Sequence, residues 1–255
     1  MTGRSARSGK GVAFKVAVAQ GDGGFAVRVN GKSARTPAGS ALVLPTRALA
    51  EAIAGELRAR PPGRRRGFEA VPNLRLAASA LDRVAGRRGQ VVDEILAFAA
   101  TDLLCYRALR PPELAARQSA LFQPLIEWAE ARYAARLAVT TGIVPVVQSA
   151  AAMAALRDAV AAFDDMALAG LFAAARTSGS LVVALALAEG EIDAGRAFEA
   201  SQLEASLQME RWGEDEEAAR RLGSVRTEIE QAAAFLALCR GRPCSNSKKG
   251  RDGGR

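Results

Sequence analysis

The stretch FKVAVAQGDGGFAVRVNG, residues 14–31, decides how the front of the chain is built. FKVAVAQ (14–20) and FAVRVNG (25–31) each alternate apolar and polar side chains, and a Gly/Asp cluster stands between them. Period-two alternation on both sides of such a cluster predicts a β-hairpin. Phe25, Val27 and Val29 then line one face, with Arg28 on the other. Asn30-Gly31 is a second turn signal. A short strand, KSART, follows, and after the turn PAGS comes ALVLP (41–45). Together these predict a small antiparallel sheet over about residues 13–45. GDGG has no Gly-Lys-Ser/Thr after it, so it reads as a turn and not as a phosphate loop.

Behind the sheet the period changes. Thr46 is a good N-cap, and in TRALAEAIAGEL (46–57) the residues Leu49, Ile53 and Leu57 form one helical stripe. RARPPGRRRG (58–67) breaks the pattern with two prolines, two glycines and five arginines, as a solvated connector does. From Val71 to about residue 238 the pattern is helical. LRLAASALDRVA (74–85) ends at Gly86, and QVVDEILAFAATDLL (90–104) carries Val91, Ile95, Phe98 and Leu103 on or near one face. The long segment 112–137 has Pro124 inside it, a kink or a break. LAVTTGIVPVVQ (137–148) reads as extended. Further helical segments follow, including 193–213 and 214–238. The expected fold class is α+β, a small N-terminal antiparallel β domain followed by a larger all-helical domain. The expected organisation is a disordered basic N-terminus (1–12), a small β domain with one helix (13–66), a helical domain (67–239) and a disordered basic tail (240–255).

Composition narrows the chemistry. The chain has 255 residues, enough for one large domain or two modest ones, with 49% apolar and 24% charged residues. It has no histidine, which excludes Ser-His-Asp and Cys-His sites and any His-ligated metal. Cys105, Cys239 and Cys244 form no CxxC pair, so neither a disulfide framework nor a thiolate metal cage is signalled, and a reducing compartment fits best. The basic N-terminus lacks the apolar region of a secretory signal. The most membrane-like window, 168–190, is interrupted by Arg176 and the polar step TSGS, so it reads as buried helix and not as a membrane span. Charge is segregated. Residues 1–66 carry 13 basic and 3 acidic residues, net +10; residues 67–239 carry 16 and 23, net −7; residues 240–255 carry 6 and 1, net +5. A basic head, an acidic body and a basic tail do not make one continuous nucleic-acid groove.

Two stretches concentrate polar chemistry. TDLLCYR (101–107) holds a carboxylate, a thiol, a phenol and a guanidinium. Cys105 is a nucleophile only if Arg107 depresses its pKa; otherwise it is a small buried apolar residue. In LEASLQMERWG (203–213), Glu204, Gln208 and Arg211 fall on one helical face beside the stripe of Leu203 and Leu207, and Trp212-Gly213 ends the helix. That pattern is an ordinary amphipathic surface helix or a docking face. The other carboxylates are scattered along helix faces, where they solvate and pair i to i+4.

Six blocks together resemble one family. They are NGKSARTPAGSALVLPTRALAEAIAGE (30–56), VPNLRLAASALD (71–82), TDLLCYR (101–107), RQSALFQPLIEWA (117–129), TSGSLVVALAL (177–187) and SQLEASLQMERWG (201–213). In this order they resemble the F1-sector assembly factor that chaperones the alpha subunit of ATP synthase, over about residues 28–238. The chain departs from that family's usual pattern at Leu57, Phe122-Gln123 and Ala205. The resemblance implies a non-enzymatic assembly chaperone with the ATP synthase alpha subunit as partner. It implies no cofactor, no metal, no nucleic acid and no membrane insertion. It places the protein in the bacterial cytoplasm, or in the mitochondrial matrix if the source is eukaryotic. On this reading Glu204, Gln208, Arg211 and Trp212 bind the partner, while Asp102, Tyr106 and Arg107 are structural and there are no catalytic residues. The alternatives from the residues alone are a helical ligand-binding protein and a nucleic-acid-associated regulator.

Overall fold

The computed structural model describes residues 15–21, 23–59, 71–142, 146–213 and 215–241. The terminal segments 1–12 and 242–255, and residues 60–67 of the Arg/Pro/Gly connector, lie outside the described residues. The architecture is α+β, a small sheet followed by a helical body.

The hairpin is present. β1 (Val16–Gly21) pairs antiparallel with β2 (Gly24–Val29), from Val16 opposite Val29 to Gly21 opposite Gly24. Asn30 and Gly31, both with positive φ, form the two-residue turn into β3 (Lys32–Ser33). β4 (Val43–Leu44) joins β2 through Phe25–Leu44 and Ala26–Val43. The alternation holds in three dimensions: Val27 is buried and Arg28 exposed. Helix α1 (Arg47–Arg58) lies on the buried face, with Leu49, Ala50, Ile53 and Ala54 against Val16, Val27, Leu42 and Leu44. Thr46 caps it, accepting from the Leu49 N–H at 3.1 Å.

The helical body begins with α2 (Pro72–Ser79), which passes into a π-turn over Ala80–Val84 instead of running on as α-helix. Helix α3 (Arg88–Ala100) stops earlier than the periodicity suggests. Residues 103–105 form a separate 3₁₀ turn capped by Asp102, because a carboxylate accepting from the Leu104 N–H at 3.0 Å competes with helix continuation. β5 (Tyr106–Arg107) follows. Helix α4 (Pro112–Tyr133) runs through Pro124 without a break and ends at left-handed Ala134. The extended segment supplies β6 (Thr140–Thr141), parallel to β5. Helices α5 (Ala150–Ala161), α6 (Asp165–Ser178) and α7 (Leu181–Glu189) follow. The single helix expected over 193–213 is two, α8 (Ala194–Ser201) and α9 (Leu203–Trp212), broken at Gln202. Helix α10 (Glu216–Cys239) closes the chain.

Every residue of α7 from Leu181 to Ala188 is buried. It is surrounded by α3, α4, α6, α8 and α10. One continuous cluster of buried side chains joins this helical core to the sheet. The Thr46 hydroxyl also donates to the Leu238 carbonyl at 2.6 Å, which fixes the start of α1 to the end of α10.

Helices α6 and α10 pack tightly at Gly170. A Cβ added to Gly170 would stand 2.9 Å from Leu236 Cδ2 and 3.0 Å from Phe235 Cδ1. Both partners are buried, so there is little room to yield. Gly170→Val should therefore lower stability by about 1–3 kcal/mol, the usual cost of overpacking. Urea unfolding measures it; an unchanged midpoint would contradict the close approach.

Candidate functional site

Two polar side chains of TDLLCYR are buried in the protein, while Tyr106 and Arg107 are half-buried and Thr101 is exposed. Asp102 and Cys105 are both 0% exposed. The Asp102 carboxylate accepts from the Leu104 N–H at 3.0 Å and from the Val182 N–H at 3.1 Å. One oxygen caps the 3₁₀ turn and the other caps α7. The structural role expected of Asp102 is thus met by bonds from backbone N–H groups. The block TSGSLVV meets it from the other side. Ser180 Oγ accepts from the Val183 N–H at 3.0 Å, and the Leu103 N–H donates to the Gly179 carbonyl at 3.1 Å.

Arg107 is half-buried. Its guanidinium lies over the Phe122 ring, 5.0 Å from the centroid, and donates to the Gln118 carbonyl at 2.8 Å. Gln118 in turn accepts from the Ala108 N–H at 2.7 Å, so β5 is fastened to α4. Tyr106 pairs with Thr140 across β5 and β6. Burial pushes the Cys105 thiol up to about 12, with the Asp102 charge acting the same way and Arg107 acting against it. A thiol held protonated and shut from solvent is packing, not a nucleophile.

The four residues on α9 do not share one surface. Leu203 and Leu207 are buried and fix its orientation. Glu204 and Gln208 line a groove of about 270 Å³, with Leu103, Phe122 and Gln202 among its walls. A second hollow of about 260 Å³ adjoins it and shares Ala205, Gln208 and Arg221. Trp212 stands on its rim, 83% exposed. Arg211 lines neither hollow. It pairs with Glu113 of α4 at 2.5 Å, beside Arg117, which bridges Glu113 at 2.9 Å and Glu210 at 2.8 Å. Exposed pairs of this kind are individually worth about 0.2–1 kcal/mol, so Arg211 positions α9 more than it strengthens the fold. The reading from periodicity missed two contributors. Leu103 connects TDLLCYR to the groove, and Arg221 reaches both hollows from α10. Nothing in the pattern of α10 separates Arg221 from its neighbour Arg220.

Among the described residues no group of acidic or cysteine side chains is arranged to hold a metal ion, and no helix is long and apolar enough to cross a membrane.

Burial raises the Asp102 carboxyl to about 6, against the pull of the hydrogen bonds from Ser180, Val182 and Leu104. The folded value lies above the unfolded one, so the native state takes up the proton first. This group's contribution to stability is then complete below the ordinary aspartate range and fades as pH rises through about 6. Asn cannot titrate, and it offers one acceptor to two N–H groups. Asp102→Asn should cost about 1–3 kcal/mol. The gap from the unsubstituted chain in thermal melting should narrow between about pH 5 and about pH 7.5. A gap that widens over that range would refute the assigned role.

The sequence model of the ATP12 chaperone protein matches residues 13–130. The fold is similar to that of Atp12 from Paracoccus denitrificans, with a TM-score of 0.83 and 36% identity over 88% of this chain and 95% of that one. It is equally similar to an aspartate-to-lysine mutant of the P. denitrificans protein, with a TM-score of 0.83 and 35% identity over 89% and 98% of the two chains. A candidate chaperone from Agrobacterium tumefaciens aligns with a TM-score of 0.81 and 35% identity over 89% of this chain and 85% of its own. With more than a third of residues identical across nearly the whole of a solved relative, this chain belongs to the ATP12 chaperone family.

Proposed function

We propose that the protein holds the unassembled alpha subunit of the F-type ATP synthase catalytic sector until the beta subunit takes its place, and that it does so without catalysis or a cofactor. It works where that sector is assembled, in the bacterial cytoplasm or, in a eukaryote, the mitochondrial matrix. The observation that carries the reading is the α9–α10 surface. A tryptophan left 83% exposed stands beside a groove that presents Glu204, Gln208 and Arg221. Aromatic residues with polar neighbours are the usual anchors of protein interfaces. An orphaned subunit exposes a surface of the same mixed kind, apolar at its centre and polar at its rim.

Two further points support a binding role over chemistry. The carboxyl and the thiol of TDLLCYR, Asp102 and Cys105, are fully buried and inaccessible to a substrate. The groove, in contrast, is open and bordered by both signs of charge, which suits register and partner choice.

Glu204 projects from the first turn of α9 and is exposed. It makes no ion pair among the described residues, so reversing its charge leaves the fold intact. Glu204→Lys should melt like the unsubstituted protein yet weaken retention of isolated alpha subunit about tenfold or more, at least ~1.4 kcal/mol. The measurement is suppression of alpha-subunit aggregation as a function of chaperone concentration. Unchanged suppression at unchanged melting would remove this face from the docking surface.

A further inference from the structure

A second groove lies on the far side of α6. Its walls are α2 with the π-turn, the start of α3, and α6, and its volume is about 340 Å³. Four arginines surround it: Arg75, Arg83, Arg87 and Arg176. Its floor is apolar, built from Leu76, Val84, Val91 and Phe172, of which Val91 and Phe172 remain partly open to solvent. One carboxylate stands at the rim, Glu94, and it accepts from the Gln90 amide at 3.0 Å.

The basic rim follows from helix geometry. Arg75, Ser79 and Arg83 are spaced four apart and all line the groove. On a straight α-helix each four-residue step would carry the side chain about 40° further round. The Ala85 N–H bonds to the Ala80 carbonyl at 3.1 Å, a five-residue step that underwinds this turn. The row therefore stays over the groove instead of spiralling away. Arg87 continues it from the turn before α3.

These guanidiniums are not all needed at home. Arg75 donates to Gln231 at 3.2 Å, and Arg176 stands 4.0 Å from Glu228. Arg83 and Arg87 are exposed and have no acidic partner among the described residues. They sit on a body whose net charge is −7 over residues 67–239. A cationic rim around an apolar floor on an otherwise acidic body selects its ligand. A compact anion gains nothing from the floor, and a long polyanion meets repulsion beyond the rim.

We propose that this groove docks an acidic amphipathic segment of the client polypeptide, its apolar face on Val91 and Phe172 and its carboxylates on Arg83, Arg87 and Arg176. The proposal rests on the holding role described above and adds a second contact surface remote from Glu204. Two surfaces facing different parts of one client would raise retention through effective concentration, with neither contact being tight.

The test uses the full chain, and its first arm needs no alpha subunit. The probe is a fluorescein-labelled helical peptide with glutamates along one face and leucines along the other, followed by anisotropy. Competitors are a permuted peptide of the same composition and inorganic tripolyphosphate. The amphipathic peptide should bind, and neither competitor should displace it at equal concentration. The double variant Arg83→Glu/Arg87→Glu should raise its Kd at least about ten-fold while melting normally, and Val91→Gln should weaken it with the rim intact. Glu204→Lys should leave this binding unchanged, which separates the groove from the α9 face. Equal affinity in the double variant, or displacement by tripolyphosphate or by the permuted peptide, would overturn the proposal. In a second arm with alpha subunit, retention should fall in Arg83→Glu/Arg87→Glu as well as in Glu204→Lys; retention lost in Glu204→Lys but unchanged in the double variant would show that the groove is not a client surface.

Discussion

Helix α7 has no face toward water. Its residues from Leu181 to Ala188 are all buried, so its terminal N–H and C=O groups cannot be satisfied by solvent. Each buried orphan would cost about 1–3 kcal/mol. The chain resolves this with local caps, Ser180 before the helix and left-handed Gly190 after it, whose N–H bonds to the Ala186 and Leu187 carbonyls, and with side chains from elsewhere. At the N-terminal end Ser180 accepts from Val183, and Asp102 accepts from Val182 across 80 positions of sequence. At the C-terminal end the Arg240 guanidinium donates to the Ala188 carbonyl, and Glu189 is held by Tyr133 and Arg132, each at 2.8 Å. An acid at the start and a guanidinium at the end also complement the helix dipole. Because Asp102 caps α7 and the 3₁₀ turn together, the position of TDLLCYR, and with it β5, follows from the burial of one helix.

The same device recurs at two other junctions. The Glu56 carboxylate of α1 accepts from the Asn73 N–H at 2.9 Å and the Leu74 N–H at 3.0 Å, and so caps the start of α2. Asp82, in the π-turn, accepts from the Thr36 hydroxyl at 2.7 Å and braces the sheet against the helical body. Three carboxylates thus join these junctions, alongside the Thr46–Leu238 and Arg240–Ala188 bonds. Such a frame fixes the two grooves by rigid elements. The α9 groove depends on Leu103 and Phe122, both positioned by the TDLLCYR network, and on α9, which the Arg211–Glu113 pair ties to α4.

Local pattern was legible in the sequence; long-range use was not. The hairpin, its Asn30-Gly31 turn and the Thr46 cap follow from period and turn chemistry, which act within a few residues. The burial of Cys105 follows from its place at the end of an apolar helix. The end of α3 was misplaced because an Asp at a helix end looks alike in sequence whether it continues the helix or caps the next turn. Pro124 was read as a kink or break, yet α4 continues, since packing of Leu121, Phe122, Leu125 and Ile126 outweighs one lost hydrogen bond. Glu56 and Asp82 read as solvating acids because their partners are 17 and 46 positions away. Asp102 reads as structural, but its partner 80 positions away, the start of α7, is not visible in the pattern. On α9, helical spacing puts Glu204 and Gln208 on one face, and both line the same groove. The same spacing assigned Arg211 to them, but α4 supplies an acid that takes it away. The exposure of Trp212 and the contribution of Arg221 depend on how α9 meets α10, which no local pattern encodes.

Buried Asp102 is used in capping and buried Cys105 in packing, while the open surfaces mix aromatic, amide and both signs of charge, which suits the proposed role of holding another chain and letting it go. Holding and release are one competition if beta covers the same surface of alpha. The most direct test mixes the full chain with isolated ATP synthase alpha subunit, confirms a stable complex by size-exclusion chromatography, and then adds beta subunit. The account predicts that alpha co-elutes with the chaperone alone and moves into an alpha–beta species as beta is added, leaving the chaperone free. No alpha–chaperone complex, or a ternary complex that beta does not dissolve, would contradict it.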